Sequence, residues 1–253
     1  MAEKITSLNN TIVKYTQKLN QKKYRDEEDK FLLEGFKSIE EAVNENVDIE
    51  YIFVLESKAA KYNFFKGKSY LTTDAVLAKI SSADTPPEAV GVAKKKHHSL
   101  QAFKDYKKVV LLENVQDLGN LGTILRAACA FGVDGIVLYG NCADMYNPKC
   151  VRSSVGNLWK IPVAYTTSFE ELKSIFKDFE RVATLPLASN LLKNYRMPNK
   201  TLIMFGSEAD GLSEELIKYS TNSVKIEMCD NVESLNLAVS CSIIMYKSFV
   251  NGK

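Results

Sequence analysis

At 253 residues, with 45% hydrophobic and 25% charged residues, the chain has the size and composition of a globular protein of one large or two ordinary domains, which excludes disorder. No apolar run reaches the roughly 18 residues of a membrane span, and MAEKITSLNN has no apolar core after its lysine, so neither a membrane segment nor a signal peptide is expected and the compartment reads as cytoplasmic. The net charge of +2 does not by itself announce nucleic acid; the odd set Cys129, Cys142, Cys150, Cys229 and Cys241, without a C-x-x-C pair, reads as reduced thiols, and two adjacent histidines, His97 and His98, argue against a metal site.

The apolar spacing of Ile12, Tyr15 and Leu19 predicts a helix over Thr11–Lys23 with lysines between. Phe31–Leu33 reads as a strand, broken by Gly35, and Phe36–Asn44 as a helix. Ile49–Leu55 is a strand, Thr73–Ser81 a helix and Val90–Ala93 a short strand, so residues 1–98 form a small α/β domain. A basic, weakly periodic stretch over Lys94–Phe103 reads as a linker. Residues 104–253 then alternate cleanly. Strands are expected at Lys108–Leu112, Gly135–Leu138, Arg181–Leu185, Thr201–Phe205 and Ser223–Glu227. Helices are expected at Gly122–Phe131, Lys149–Val155, Phe169–Phe176, Ser213–Tyr219 and Leu237–Val250. This alternation predicts a mostly parallel sheet covered on both faces.

Three polar clusters sit where a strand hands over to a helix: Asn120, Gly122 and Arg126; Gly206, Glu208 and Gly211; Ser234, Leu235 and Asn236. Three such junctions in one domain point to a ligand site at the carboxyl ends of parallel strands. Each also has a plain reading. Asn120 can cap its helix, as can Ser234 or Asn236. Gly206 and Gly211 can merely allow a tight loop. Arg126 can be a surface ion-pair partner, although its apolar neighbours Leu125, Ala127, Ala128 and Ala130 favour an anionic partner such as phosphate or carboxylate. Neither a dinucleotide fingerprint nor a P-loop is present. Lys14, Lys18, Lys22, Lys23 and Arg25 form a basic cluster that is either a solvated helix face or a contact for phosphates.

Taken together, the order and spacing of the clusters resemble the SpoU (TrmH) family of RNA ribose 2′-O-methyltransferases. Asn120-x-Gly122-x-x-x-Arg126 resembles the first motif and Phe205-Gly206-x-Glu208-x-x-Gly211-Leu212 the second. Ile226-x-Met228 with Val232-x-Ser234-Leu235-Asn236-x-Ala238 resembles the third. Lys149-x-Val151-Arg152-x-Ser154-x-Gly156, leading to Ile161-Pro162-Val163, is also similar. Ile5-Thr6-Ser7, Asn10, Lys23-Tyr24-Arg25-Asp26 and Phe31-Leu32-Leu33-Glu34-Gly35 resemble the substrate-binding domain that many members carry ahead of the catalytic one. Leu118 and Glu227 stand where many members have proline, so the two turns are expected to differ in geometry.

The resemblance implies a catalytic domain of the SPOUT type with a deep trefoil knot, which connection rules alone would not predict. It implies S-adenosylmethionine as cofactor, cradled around Leu185, Gly206, Gly211, Ile226, Met228 and Leu235, and a homodimer with the site near the subunit interface. It implies that Asn120, Arg126, Glu208, Ser234 and Asn236 do the catalytic work: Arg126 contacts the target ribose or phosphate and the others position it. In such a family Arg126 is either a general base or an electrostatic stabiliser. Removing a guanidinium proton at neutral pH costs about 7 kcal/mol, because the group titrates above about 12. Holding phosphate and a developing alkoxide needs no such step. The expected partner is RNA, ribosomal rather than transfer RNA, docked by the N-terminal domain through its basic helix. Competing readings are a base-directed relative, a non-catalytic RNA-binding member of the fold and a small-molecule methyltransferase.

Overall fold

A computed structural model describes residues 3–229 and 231–251. The chain divides into two compact units. One comprises Met1–Lys96 with Asp144–Lys160, the other His97–Ala143 with Ile161–Lys253.

The N-terminal stretch runs β1 (Glu3–Lys4), α1 (Thr11–Lys18), α2 (Lys22–Glu28), β2 (Lys30–Glu34), α3 (Phe36–Asn44), β3 (Ile49–Leu55), β4 (Lys68–Thr72), α4 (Asp74–Ile80) and β5 (Ala89–Lys94). Its sheet has the order β1-β4-β3-β5-β2. Leu32, Phe53, Tyr70, Val90 and Val92 from the strands close over Val13, Val76 and Leu77 from the helices and Leu19 just beyond α1. Asn10 starts α1 by accepting from the Ile12 amide at 2.8 Å. The single helix expected over Thr11–Lys23 is in fact two. Leu19 and Asn20 leave the helix, and their carbonyls are taken by Nη1 of Arg25 at 2.9 and 2.8 Å. That side chain is 1% exposed, with Asp144 as its counter-ion at 2.6 Å. Arg25 is therefore not part of an exposed phosphate-binding face. Lys22 is occupied with Asp26 and Lys23 lies 3.8 Å from Glu27.

The rest of the chain runs β6 (Lys108–Glu113), α5 (Leu118–Ala130), β7 (Gly135–Tyr139), α6 (Pro148–Ser154), β8 (Val163–Thr166), α7 (Phe169–Ile175), β9 (Glu180–Thr184), β10 (Asn190–Leu191), β11 (Thr201–Phe205), α8 (Glu214–Tyr219), β12 (Asn222–Lys225) and α9 (Leu237–Asn251). All strands from β6 onward join one seven-stranded sheet in the order β10-β12-β9-β11-β6-β7-β8, and every pairing in it is parallel. Val109–Leu112, Gly135–Leu138 and Thr201–Phe205 are buried throughout, as strands covered on both faces must be. Beneath them Phe103, Leu172, Phe176, Leu202, Met204 and Leu216 form the core on one side, while α5 and α9 pack against each other. No helix of the described residues is long and apolar enough to cross a membrane.

Residues 144–160 pack on the N-terminal sheet. The ring of Tyr146 lies 4.7 Å from that of Phe31, and its hydroxyl donates to the Lys96 carbonyl at 2.7 Å. Arg152 of α6 pairs with Glu34 at the end of β2, and Lys160 with Glu41 of α3 at 2.6 Å. The Arg25–Asp144 pair is the most enclosed of these ties. Removing one member of a buried pair leaves an uncompensated charge, at a cost of about 3–5 kcal/mol. Arg25→Ala is therefore expected to lower the urea-unfolding free energy by about that amount; a loss within experimental error would show the pair to be marginal.

Candidate active site

Because β6, β9, β11 and β12 are parallel neighbours, the loops that leave them emerge along one edge of the sheet. Asp117 caps α5 by accepting from the Asn120 amide at 2.6 Å. The helix thus begins at Leu118, a turn before the expected Gly122, and Asn120 sits in its first turn with its carboxamide uncommitted to capping. That carboxamide faces two other loops. Its Nδ2 donates to Oε1 of Glu208 at 2.6 Å, and its Oδ1 accepts from Nδ2 of Asn236 at 2.9 Å. Asn236 in turn accepts from the Ala238 amide at 2.9 Å and so caps α9. Of the two caps open at that helix, Asn236 is the one used. One hydrogen-bonded chain, Glu208–Asn120–Asn236, joins all three clusters and lies in a depression lined with Gln116 and Asp117.

The loop after β11 explains its glycines. A Cβ on Gly206 would lie 1.8 Å from the Gly211 carbonyl carbon and 2.1 Å from the Leu212 nitrogen. Only glycine permits the chain to fold back so closely. Gly211 closes the loop at φ 68°, donating to the Ser207 carbonyl at 3.1 Å. The same fold-back is tied to β6 from below. Glu113, 4% exposed, accepts from the Ser213 amide at 2.7 Å, just ahead of α8.

The two expected catalytic residues outside this chain are Arg126 and Ser234. Both are exposed, and neither side chain forms a hydrogen bond or ion pair among the described residues. Arg126 thus lacks the anionic partner its apolar neighbours led one to expect. Of its neighbours Leu125 and Ala128 are buried, Ala127 is half-buried and Ala130 exposed, so Arg126 lies on the open side of the helix. Gln116, Asp117 and Glu113 went unread in the sequence. For Asp117 a signal existed: an Asp three residues ahead of Asn120, at the end of an apolar run, is a helix N-cap pattern.

The residues at this edge suit a nucleoside-bearing cofactor. Leu187 after β9 is 94% exposed, and Met228 and Val232 after β12 are 37% and 45% exposed. Apolar side chains left open on adjacent loops offer walls for an adenine, and the backbone of the 206–211 loop offers polar contacts. Leu185, Ile226 and Leu235 are half-buried in the same loops.

A parallel sheet with a polar chain and open apolar side chains on the loops of one edge is the arrangement of an α/β protein that binds a ligand at its strand ends. Residues 107–246 match the SpoU rRNA Methylase family, and residues 10–91 match the MRM3-like substrate binding domain. The chain belongs to the SpoU methylase family. It is 32% identical to a protein of Synechocystis sp. described as an uncharacterized tRNA/rRNA methyltransferase, over 96% of this chain and 92% of the relative. It is 27% identical to the 23S rRNA (guanosine(2553)-2'-O)-methyltransferase of Bacillus subtilis, over 96% and 98%. An AdoMet-bound rRNA methyltransferase from Sinorhizobium meliloti superposes with a TM-score of 0.87 at 30% identity, covering 98% of this chain and 97% of that one.

The cysteines offer a test of the cofactor edge. Burial pushes the Cys142 thiol up to about 11 and raises that of the fully enclosed Cys241, whereas Cys229 is exposed on the loop after β12. Thiolate is the reactive form. Cys229 is therefore expected to be alkylated well ahead of Cys142 and Cys241, and S-adenosylmethionine is expected to slow that alkylation severalfold. Peptide mapping after a timed maleimide pulse reads both, and an unprotected Cys229 would place the cofactor elsewhere.

Proposed function

We propose that the chain transfers a methyl group from S-adenosylmethionine to a ribose 2′-hydroxyl of ribosomal RNA. The observation that carries this reading is the hydrogen-bonded chain Glu208–Asn120–Asn236, which holds three motif loops of the family in one arrangement. The B. subtilis relative, similar along the whole chain, supports ribosomal RNA as the substrate. The cofactor supplies an electrophilic methyl on a sulfonium. The protein's task is to align the ribose oxygen with it and to ease loss of the hydroxyl proton. Asn120 is locked by its two partners and orients Glu208, and Glu208 with Asn236 positions the ribose. Arg126 and Ser234 reach the substrate rather than the network: Arg126 holds phosphate and stabilises the developing alkoxide, a role that requires no loss of its own proton.

A homodimer would bring Arg126 to a site. Val239, Ile243, Tyr246 and Val250 are exposed by 46, 37, 54 and 40%, spaced so that they line one face of α9. Arg126 stands on α5, the helix against which α9 packs. An exposed apolar stripe of this kind marks an interaction surface. In this reading two copies pair through α5 and α9, and each offers Arg126 to its partner's Asn120 and Glu208. The family's trefoil knot would form where the chain after β11, itself inserted between β9 and β6, carries α9 back to α5. The N-terminal unit docks the RNA, with Lys14 and Lys18 as exposed cations. The reaction belongs in the cytoplasmic compartment, with its RNA.

Two measurements test this. Labelled S-adenosylmethionine should place alkali-resistant label in unmodified ribosomal RNA, and Arg126→Ala should lower the rate by about 100-fold or more. Label confined to transfer RNA would overturn the substrate, and no label in either would overturn the activity. Ile243→Glu should convert the dimer to monomer in sedimentation velocity and abolish transfer while leaving the secondary structure intact. A dimeric Ile243→Glu protein would remove α9 as the interface.

A further inference from the structure

Three arginines of this protein are anchored, and the way each is anchored differs. Arg25 places Nε and Nη2 on Asp144 at 3.0 and 2.6 Å and Nη1 on two carbonyls. Arg181 places Nε on the Tyr219 carbonyl at 3.0 Å and Nη1 on the Phe179 carbonyl at 3.0 Å, and its guanidinium lies 4.6 Å over the Tyr219 ring. Both are fastened at Nε as well as Nη1, so the plane of each is spent on the protein itself. Arg152 is fastened by one nitrogen. Its Nη1 donates to Glu34 Oε2 and, at 2.9 Å, to Ser82 Oγ. Its Nε and Nη2 carry no hydrogen bond among the described residues, and the side chain is 33% exposed.

The anchor itself is built. Glu34 is 2% exposed in its side chain. Its other oxygen, Oε1, accepts from Ser81 Oγ at 3.1 Å and from the Ser82 amide at 3.0 Å. Both carboxylate oxygens are engaged, so the group cannot rotate away and the guanidinium plane is fixed. Arginines that close one element onto another frequently meet a carboxylate with two parallel N–H groups. Here the edge suited to a bidentate oxyanion, Nε with Nη2, carries no hydrogen bond among the described residues, on a side chain that is one-third exposed. One turn earlier on the same face of α6 stands Lys149, exposed and without an ion pair among the described residues. The helix ends immediately beyond. Val155 adopts φ 48° and ψ 48°, a left-handed conformation that is a genuine outlier for a β-branched residue. Gly156 follows at φ 76°, where a Cβ would lie 2.8 Å from the Glu41 side chain. The chain accepts this strain at the residue that terminates the helix carrying Arg152.

We infer that Arg152, oriented by the buried Glu34, and Lys149 grip the phosphate backbone of the RNA substrate on the N-terminal unit. The inference rests on the RNA reading given above and names the surface that does the docking. Arg152 and Lys149 are binding residues and take no part in the transfer chemistry. Glu34 is a positioning residue.

The test measures binding of in vitro transcribed 23S ribosomal RNA by the full-length protein across a potassium chloride series. Withdrawing one cation from the phosphate backbone reduces the magnitude of the slope of log K against log salt by about 0.7–0.9. Arg152→Gln and Lys149→Gln should each reduce it by about that amount. Both should raise KM for RNA, with kcat and the calorimetric affinity for S-adenosylmethionine unchanged. If Arg152 served only to hold α6, Arg152→Gln would lower the melting temperature and leave the slope of the folded protein as it is; that result would overturn the proposal for Arg152. Lys149→Gln alters a solvent-facing side chain and folds in either case, so an unchanged slope there would likewise overturn the two-residue clamp. Absence of wild-type binding to the transcript would overturn the RNA reading itself. Wild-type binding with both variants unchanged would overturn this inference alone.

Discussion

Asn120 presents one carboxamide to two different loops, as donor to Glu208 and acceptor from Asn236. Few side chains can do both at once. An ionised aspartate has no donor and would repel Glu208, and a hydroxyl is too short to span the gap. Asn120 is released for this task because Asp117, not Asn120, caps α5. Asn236 can join through its nitrogen because its oxygen is already occupied in capping α9. Each loop is thus fastened to a helix start before it is fastened to its neighbour. Glu208 and Asn236 are exposed and Asn120 only half-buried, so the arrangement depends on the rigidity of the helix and strand ends rather than on burial.

That rigidity comes from the sheet. Glu113 ends β6 and holds the Ser213 amide in front of α8, so the chain after the second motif is tied to the strand that leads into the first. The fold-back at Gly206 leaves no room for a side chain, which makes the second loop nearly incompressible. The edge proposed for the cofactor is different in kind. Leu187, Met228 and Val232 remain open, as expected where a ligand supplies the missing apolar contact.

Much of this was legible in the sequence. Ile49–Leu55, Thr201–Phe205 and Phe36–Asn44 fall where their patterns put them, because a run of buried apolar residues or a helical period is local information. β4 and β8 were missed: KSYLT and VAYT are short and half polar, and they become strands through their partners β3 and β7. Grouping Asn120, Glu208 and Asn236 was legible as a motif set, but their hydrogen bonds were not, since contacts across 88 and 116 residues leave no local trace. Arg25 was misread for a related reason. A lysine-rich helix suggests a solvated face, and nothing nearby in the sequence tells that its arginine turns inward to meet Asp144.

The placement of residues 144–160 has a consequence for how the chain is made. They lie inside the stretch 107–246 matched by the methylase family, yet they supply Asp144 to Arg25, Tyr146 to Phe31 and Arg152 to Glu34. On a ribosome, domains ordinarily finish in the order they are synthesised. Here the first unit cannot finish in that order: Arg25 waits without a counter-ion until Asp144 has left the exit tunnel, and β2 lacks its full cover until Lys160 has followed. By then β6, α5 and β7 of the second unit have already emerged. Vectorial synthesis therefore couples the maturation of the two halves, and a chain stalled or truncated between residues 98 and 144 would expose an apolar sheet face and an unmatched charge, the marks by which chaperones and proteases sort incomplete proteins.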